Sequence, residues 1–269
     1  MTALSRPIDT PEAFQDAFAV SRETLERLRT YEALLKKWQK VINLVSPGTL
    51  DQIWHRHFAD SAQLLGLGLA PLEALLPGTR EKAGSNAGLG CSQNPAGANL
   101  SGAAGPSGAQ QSQAQEIGPG KIWLDLGSGG GFPGLVLAIM LAERDPGARM
   151  TLVESDSRKA AFLAEVARKT GVVVEIRAER SERAATQANS LIRDVITARA
   201  LAPLPKLLGL ALPFFSPRTV ALFPKGREAE VEVEEAKKRF DFTCALAPSL
   251  TEASARVVIV RNLAARPEG

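Results

Sequence analysis

Cysteine, histidine and tyrosine are nearly absent from this chain of 269 residues, which contains two, two and one of them. Cys91 and Cys244 lie far apart and belong to no CxxC pair, which argues against a disulfide framework or a cysteine zinc site and fits a reducing cytoplasm. His55 and His57 stand at i and i+2, where rings on a helix diverge, so they cannot chelate one metal as an i, i+4 pair would. No metal is expected. The lone Tyr31 lies far from any Tyr-x-x-x-Lys pair of an oxidoreductase. No uncharged apolar run reaches membrane-spanning length, and the N-terminus lacks the apolar core of a signal peptide. The expectation is a soluble cytoplasmic protein without a membrane partner. A net charge of +3 permits a nucleic-acid partner without requiring one.

What the chain does have is glycine in one place. Ile122, Leu124 and Leu126 form a short apolar run, and Leu135 to Leu141 are apolar at helical density. Gly127, Gly129, Gly130, Gly131 and Gly134 lie between them and can take positive φ, so a ligand can approach the main chain where a helix begins. Strand, glycine turn and helix together form the nucleotide-binding corner of a doubly wound, mostly parallel α/β sheet. The string Gly129-Gly130-Gly131-Phe132-Pro133-Gly134 satisfies G-x-G-x-x-G but fits the adenosine loop of methyltransferases equally, so by itself it leaves the cofactor open. No Gly-Lys-Ser/Thr follows it, which excludes a Walker loop. Glu154, 20 residues after Gly134, ends the second strand, where an acid accepts hydrogen bonds from ribose hydroxyls of NAD or S-adenosylmethionine alike.

Periodicity predicts an amphipathic helix over 21–40, capped by Ser21 with Val20 and Leu25 as a staple, and a second over 47–65 with Ile53, Trp54, Phe58, Ala62 and Leu65 inward. In that second helix His57 shares a face with Asp60 and Ser61, as a hydrogen-bonded structural histidine or as a site-lining one. Gly, Ala, Ser, Asn, Gln and Pro fill most of residues 83–120, which read as a disordered insertion between an N-terminal helical extension (1–82) and the main domain (121–269). Strands are predicted at 122–126, 150–154, 172–176, 195–198, 219–223 and 256–260, and helices at 158–170, 205–214 and 228–239. In the last helix Glu234/Lys238 and Glu235/Arg239 are spaced to pair, and the acids of 230–235 read as a solvated face.

Asn43-Leu-Val, Arg56-His-Phe-Ala-Asp-Ser61, Asp125-Leu-Gly-Ser-Gly-Gly-Gly-Phe-Pro-Gly134, Val153-Glu-Ser-Asp-Ser-Arg-Lys-Ala-Ala-Phe-Leu163, Arg177-Ala-Glu179, Thr197-Ala-Arg-Ala200 and Pro224-Lys-Gly226 follow one another in order. With them the chain closely resembles the bacterial glucose-inhibited division protein B family, the small-subunit (16S) ribosomal RNA guanine-N7 methyltransferases. The resemblance covers nearly all of the chain outside 83–120. It implies a Rossmann-like class I methyltransferase fold and an S-adenosylmethionine site using Gly127, Gly129, Phe132, Glu154, Ala178, Glu179 and Arg199. Glu154 stands where an aspartate is expected, a change that keeps the chemistry. The implied reaction is in-line methyl transfer to N7 without a general base, with Arg199 and Lys225 holding the RNA near the methyl group. Arg158, Lys159, Arg177, Arg180 and Arg183 are candidates for phosphate contacts, and Lys36, Lys37 and Lys40 form either a solvated face or the edge of an RNA contact. The implied partner is 16S rRNA in a small subunit or its precursor, bound by a monomer. An NAD-dependent oxidoreductase is the competing reading of the glycine loop.

Overall fold

Alternation of inward residues builds a seven-stranded sheet with a separate apolar layer on each face. In the computed structural model, which describes residues 7–75, 120–186 and 193–267, the strands are β1 (Ile122–Leu126), β2 (Arg149–Val153), β3 (Glu175–Arg177), β4 (Val195–Thr197), β5 (Val220–Lys225), β6 (Phe240–Pro248) and β7 (Arg256–Ala265). Their order is β3-β2-β1-β4-β5-β7-β6, parallel through β5, with β7 and β6 antiparallel. Along β5 and β7, Val220, Leu222, Val257 and Ile259 enter one core while Ala221, Phe223, Val258 and Val260 enter the other, as a period of two demands. Each large side chain buried this way contributes about 1.5–3 kcal/mol.

Helices α5 (Gly134–Arg144) and α6 (Ser157–Thr170) cover one face; α7 (Ser181–Thr186), α8 (Leu204–Ala211) and α9 (Ala229–Lys237) cover the other. The N-terminal helices α1 (Pro11–Phe18), α2 (Arg22–Trp38), α3 (Asp60–Leu69) and the single turn α4 (Leu72–Leu75) extend the first layer. Ser21 caps α2 by accepting from Thr24 N–H at 3.1 Å, and Leu25, Leu28, Tyr31 and Leu35 are buried, as the spacing predicts. Glu143 on α5 ties this cap to the main domain by accepting from Ser21 N–H and Thr24 Oγ1. Where α3 crosses β1, a Cβ on Gly68 would stand 2.0 Å from the Trp123 ring, so only glycine permits the approach.

Several expectations need correction. The helix predicted over 47–65 is three pieces: a 3-10 helix (Pro47–Gln52), a π-helical turn (Trp54–Ala59) and α3. All five residues expected inward are buried. The wider π turn re-aims Arg56 and His57, a geometry common at functional sites. The third strand starts at Glu175 rather than 172, because β2 offers parallel partners only from Thr151 to Val153, and Val173 is left 91% exposed. Strand β6 was not anticipated; Phe242, Cys244 and Leu246 face one core and Ala245 and Ala247 the other, all only partly buried, so no polar-apolar alternation marks it. Helix α1 was also missed. In α9 the ion pairs run i, i+3, as Glu234–Lys237 and Glu235–Lys238. The insertion expected over 83–120 lies outside the described residues except for Gly120. Among the described residues, no helix is long and apolar enough to cross a membrane, and no group of three His, Cys, Asp or Glu side chains could hold a metal ion.

Candidate active site

The sheet order reverses between β1 and β4, and over that point the loops at the carboxyl ends of the strands leave a crevice. A cavity of about 490 Å3 opens there, lined by the glycine loop after β1, Glu154 after β2, Glu179 after β3 and Arg199 after β4. Gly127, Gly129 and Gly131 hold φ of +67°, +56° and +91°. A Cβ on Gly129 would meet only the Gly127 carbonyl oxygen, at 3.8 Å, so the loop leaves a cradle that a side chain would fill.

Two buried anchors set the loop. Asp125, wholly buried at the end of β1, accepts from Thr197 Oγ1 at 2.8 Å and from Gly134 N–H at 3.2 Å, and burial pushes its carboxyl up to about 6 against those bonds. Tyr31 reaches across from α2 to donate its hydroxyl to the Gly130 carbonyl, and its ring stacks on Phe132 with centroids 5.3 Å apart. Glu154 is buried and accepts from Gly129 N–H at 2.7 Å and Asp156 N–H at 2.8 Å. Its carboxylate is thus fixed at the rim with lone pairs remaining.

Arg199 occupies the wall between this cavity and a second of about 500 Å3. Its guanidinium lies 5.1 Å from the Phe132 centroid, donates to Asp60 Oδ2 at 3.1 Å and the Arg56 carbonyl at 3.1 Å, and donates to His57 Nδ1 at 2.7 Å. A guanidinium offers no acceptor, so Nδ1 of His57 is bare and Nε2 carries the proton, which it donates to Thr49 Oγ1 at 2.8 Å. Thr49 passes the chain to the Ser46 carbonyl. Burial, then Arg199, then Arg56 push His57 down to about 3, so the ring is neutral across the physiological range. Next to Arg199, Ala200 holds φ of +54°, a strained conformation at the shared wall.

The residues singled out by sequence fall as follows. Gly127, Gly129, Phe132, Glu154, Glu179 and Arg199 meet in the first cavity. Ala178 does not line it; its side chain is exposed. Glu179 is held by Arg177 at 2.8 Å. Lys225 lines the second cavity with its ammonium on the Ala202 carbonyl at 2.7 Å and Glu232 at 2.8 Å. Glu232 is therefore not part of a solvated face: it also accepts from Leu204 N–H and fixes the start of α8. The His57 ring pairs with Arg199 and Thr49 rather than Asp60 or Ser61, because the π turn directs it toward β4, and Ser61 donates instead to the His57 backbone carbonyl at 2.6 Å. Thr49, Arg56 and Glu252 also line the second cavity, and only the Arg56-to-Ser61 string hinted at them.

A sheet that reverses at β1/β4, with its cavity over that point, is a Rossmann-like nucleotide-binding architecture, here closed by the antiparallel β7 beside β5. A solved O-methyltransferase from Bacillus cereus in complex with SAH shares this fold at a TM-score of 0.50 and 13% identity, over 94% of this chain and 96% of that one. Residues 110–259 match the GidB family, rRNA small subunit methyltransferase G. Proteins named Ribosomal RNA small subunit methyltransferase G are 41% identical in Parvibaculum lavamentivorans, over 94% of this chain and 89% of that protein, and 41% identical in Rhodospirillum centenum, over 98% and 96%. The chain belongs to the rRNA small subunit methyltransferase G family. Its cofactor is S-adenosylmethionine, and the site fits it: an open backbone cradle at Gly129, a fixed acid at the rim and an aromatic floor at Phe132.

Proposed function

We propose that this enzyme methylates N7 of one guanine in 16S rRNA by in-line transfer without a general base. The observation that carries the reading is the pair of cavities meeting at Arg199 and Ala200, one suited to the cofactor and the other open to a base. When bound, S-adenosylmethionine supplies a sulfonium methyl, whose bonding pair stays on sulfur as the N7 lone pair takes the methyl. Guanine N7 bears no proton, so none has to be removed. The site agrees with this: both His57 ring nitrogens are committed, and the carboxylate of Asp60 is held by Arg199, Thr251 and Gln63. The chain contributes alignment, by holding the reacting atoms in line.

Arg199 and Lys225 face a base that becomes positive, and each is neutralised by its partner, Asp60 at 3.1 Å and Glu232 at 2.8 Å. The two pairs position the base without opposing the charge that develops on it. Gly127, Gly129, Glu154 and Glu179 hold the cofactor in this reading. The helical extension 1–82 and the domain 121–269 act together as a monomer in the cytoplasm, and the small subunit or its precursor presents the target by shape and exposed bases.

Two measurements test the proposal. Isothermal titration should show tight S-adenosylhomocysteine binding and none of NADH; the reverse result returns the site to an oxidoreductase. Mass mapping of 16S rRNA from a deletion strain should show one 7-methylguanosine missing, restored by the gene, and survival of every 7-methylguanosine would refute the substrate assignment.

A further inference from the structure

Most polar groups lining the second cavity are already tied to a protein partner. His57 bonds through both nitrogens, Asp60 through both oxygens, and Lys225 holds Glu232 and a carbonyl. Arg56 and Glu252 differ. Their side chains are 46% and 50% exposed, both line the cavity, and their charged atoms stand 3.8 Å apart, a loose contact at the limit of an ion pair. Among the described residues, Glu252 is otherwise engaged only by the Ser254 turn, and the Arg56 guanidinium has no other ion pair or hydrogen bond.

The order of contacts across the cavity matters. Glu252 faces Arg56, and the Arg56 carbonyl accepts from Arg199, the residue shared with the cofactor cavity. Along its edge guanine presents the N2 amino group, N1–H, O6 and N7 in the same sequence. A carboxylate is acceptor-only and matches N1–H with N2–H, a donor pair that adenine lacks; a guanidinium matches O6. N7 then lies nearest the cofactor cavity, beside Arg199, whose guanidinium is shared among Asp60, the Arg56 carbonyl and His57.

We infer that Glu252 and Arg56 select guanine, with Glu252 accepting from N1–H and N2–H and Arg56 donating to O6 as the base separates the two side chains. This inference rests on the guanine-N7 reading above and assigns the base its orientation. The test uses the full chain and reconstituted small subunits whose 16S RNA carries guanosine or inosine at the methylated position, inosine lacking only the N2 amino group. Wild type should lose about tenfold or more in kcat/KM on inosine, the scale of a hydrogen bond to a charged acceptor. Glu252→Ala should be slow on both substrates and treat them alike within about twofold, with an unchanged melting temperature and S-adenosylhomocysteine affinity showing that the fold and first cavity are intact. Glu252→Gln, which keeps the shape, should also narrow the ratio. A wild-type ratio near one, or a Glu252→Ala enzyme that keeps the wild-type ratio, overturns the assignment. Nuclease digestion of the wild-type product separates the two levels: absence of 7-methylguanosine removes the N7 reading, and this inference with it.

Discussion

Replacing His57 with glutamine tests whether the ring that orients Arg199 is held neutral. An amide can still accept from Arg199 and donate to Thr49, but it loses the ring packing on Phe132, whose centroid lies 4.9 Å from that of His57. At pH 7 the variant should therefore be less stable by about 1–2 kcal/mol. The pH dependence is the sharper observable. Folded His57 titrates at about 3 against an ordinary 6.5, so as pH falls below 6.5 the unfolded chain takes a proton that the native ring refuses. Wild-type stability then declines with a slope that approaches about 1.4 kcal/mol per pH unit, a loss of about 2.3 kcal/mol between pH 6.5 and 4.5. His57→Gln has no such loss, so its deficit at pH 7 should vanish and reverse at pH 4.5.

Asp125→Asn gives the opposite sign. Folded Asp125 titrates at about 6 against an ordinary 3.8, so in acid the native state binds a proton before the unfolded chain does, and wild type gains about 1.5 kcal/mol from this group between pH 6 and 4.5. The asparagine variant forgoes that gain, and relative to wild type it should worsen on acidification. Urea unfolding followed by the fluorescence of Trp38, Trp54 and Trp123 at pH 7 and 4.5 reads both differences. Stability gaps that stay constant with pH for both variants would refute the buried-neutral histidine and the buried, raised carboxylate.

Four further substitutions probe the site. Gly129→Val combines a side chain at φ +56° with a filled cradle, and should weaken S-adenosylhomocysteine binding by at least about 100-fold in calorimetry; unchanged affinity would place the cofactor elsewhere. Arg199→Ala strands Asp60 and His57 without their shared donor and should cost about 3 kcal/mol, lowering the melting temperature by roughly 6–12 °C and abolishing methyl transfer. Arg199→Lys should rescue neither, because an ammonium cannot span both partners while covering Phe132; full recovery would reduce Arg199 to a point charge. Glu232→Gln leaves the Lys225 charge unbalanced beside the proposed base site, so kcat should fall about tenfold with little change in KM, and a rise in KM alone would assign Lys225 to ground-state RNA binding.

The parts of the site built by one stretch of backbone were legible in the sequence. The glycine loop reads as a turn because five glycines between a strand and a helix have no cheaper use, and Glu154 reads as a rim acid because a parallel strand must end there. Partner choice was not legible. Glu232 sits in a run of acids indistinguishable from a solvated face until α8 brings the Leu204 N–H to it, and His57 looks like a partner of Asp60 until the π turn rotates it toward β4. Strand β6 escaped for a related reason: as an edge strand half-covered on both faces, it lacks the alternation that burial on one face imposes. The same distinction explains why the second cavity was invisible. Arg56 and Glu252 are separated by most of the chain, and their meeting depends on β7 returning antiparallel beside β5, so that the loop before β7 closes against the π turn. His55 secures that closure by bonding the Ile8 N–H and the Thr251 carbonyl. The N-terminal extension is thus a structural wall of the second cavity, and the base selection proposed there depends on contacts that no local pattern encodes.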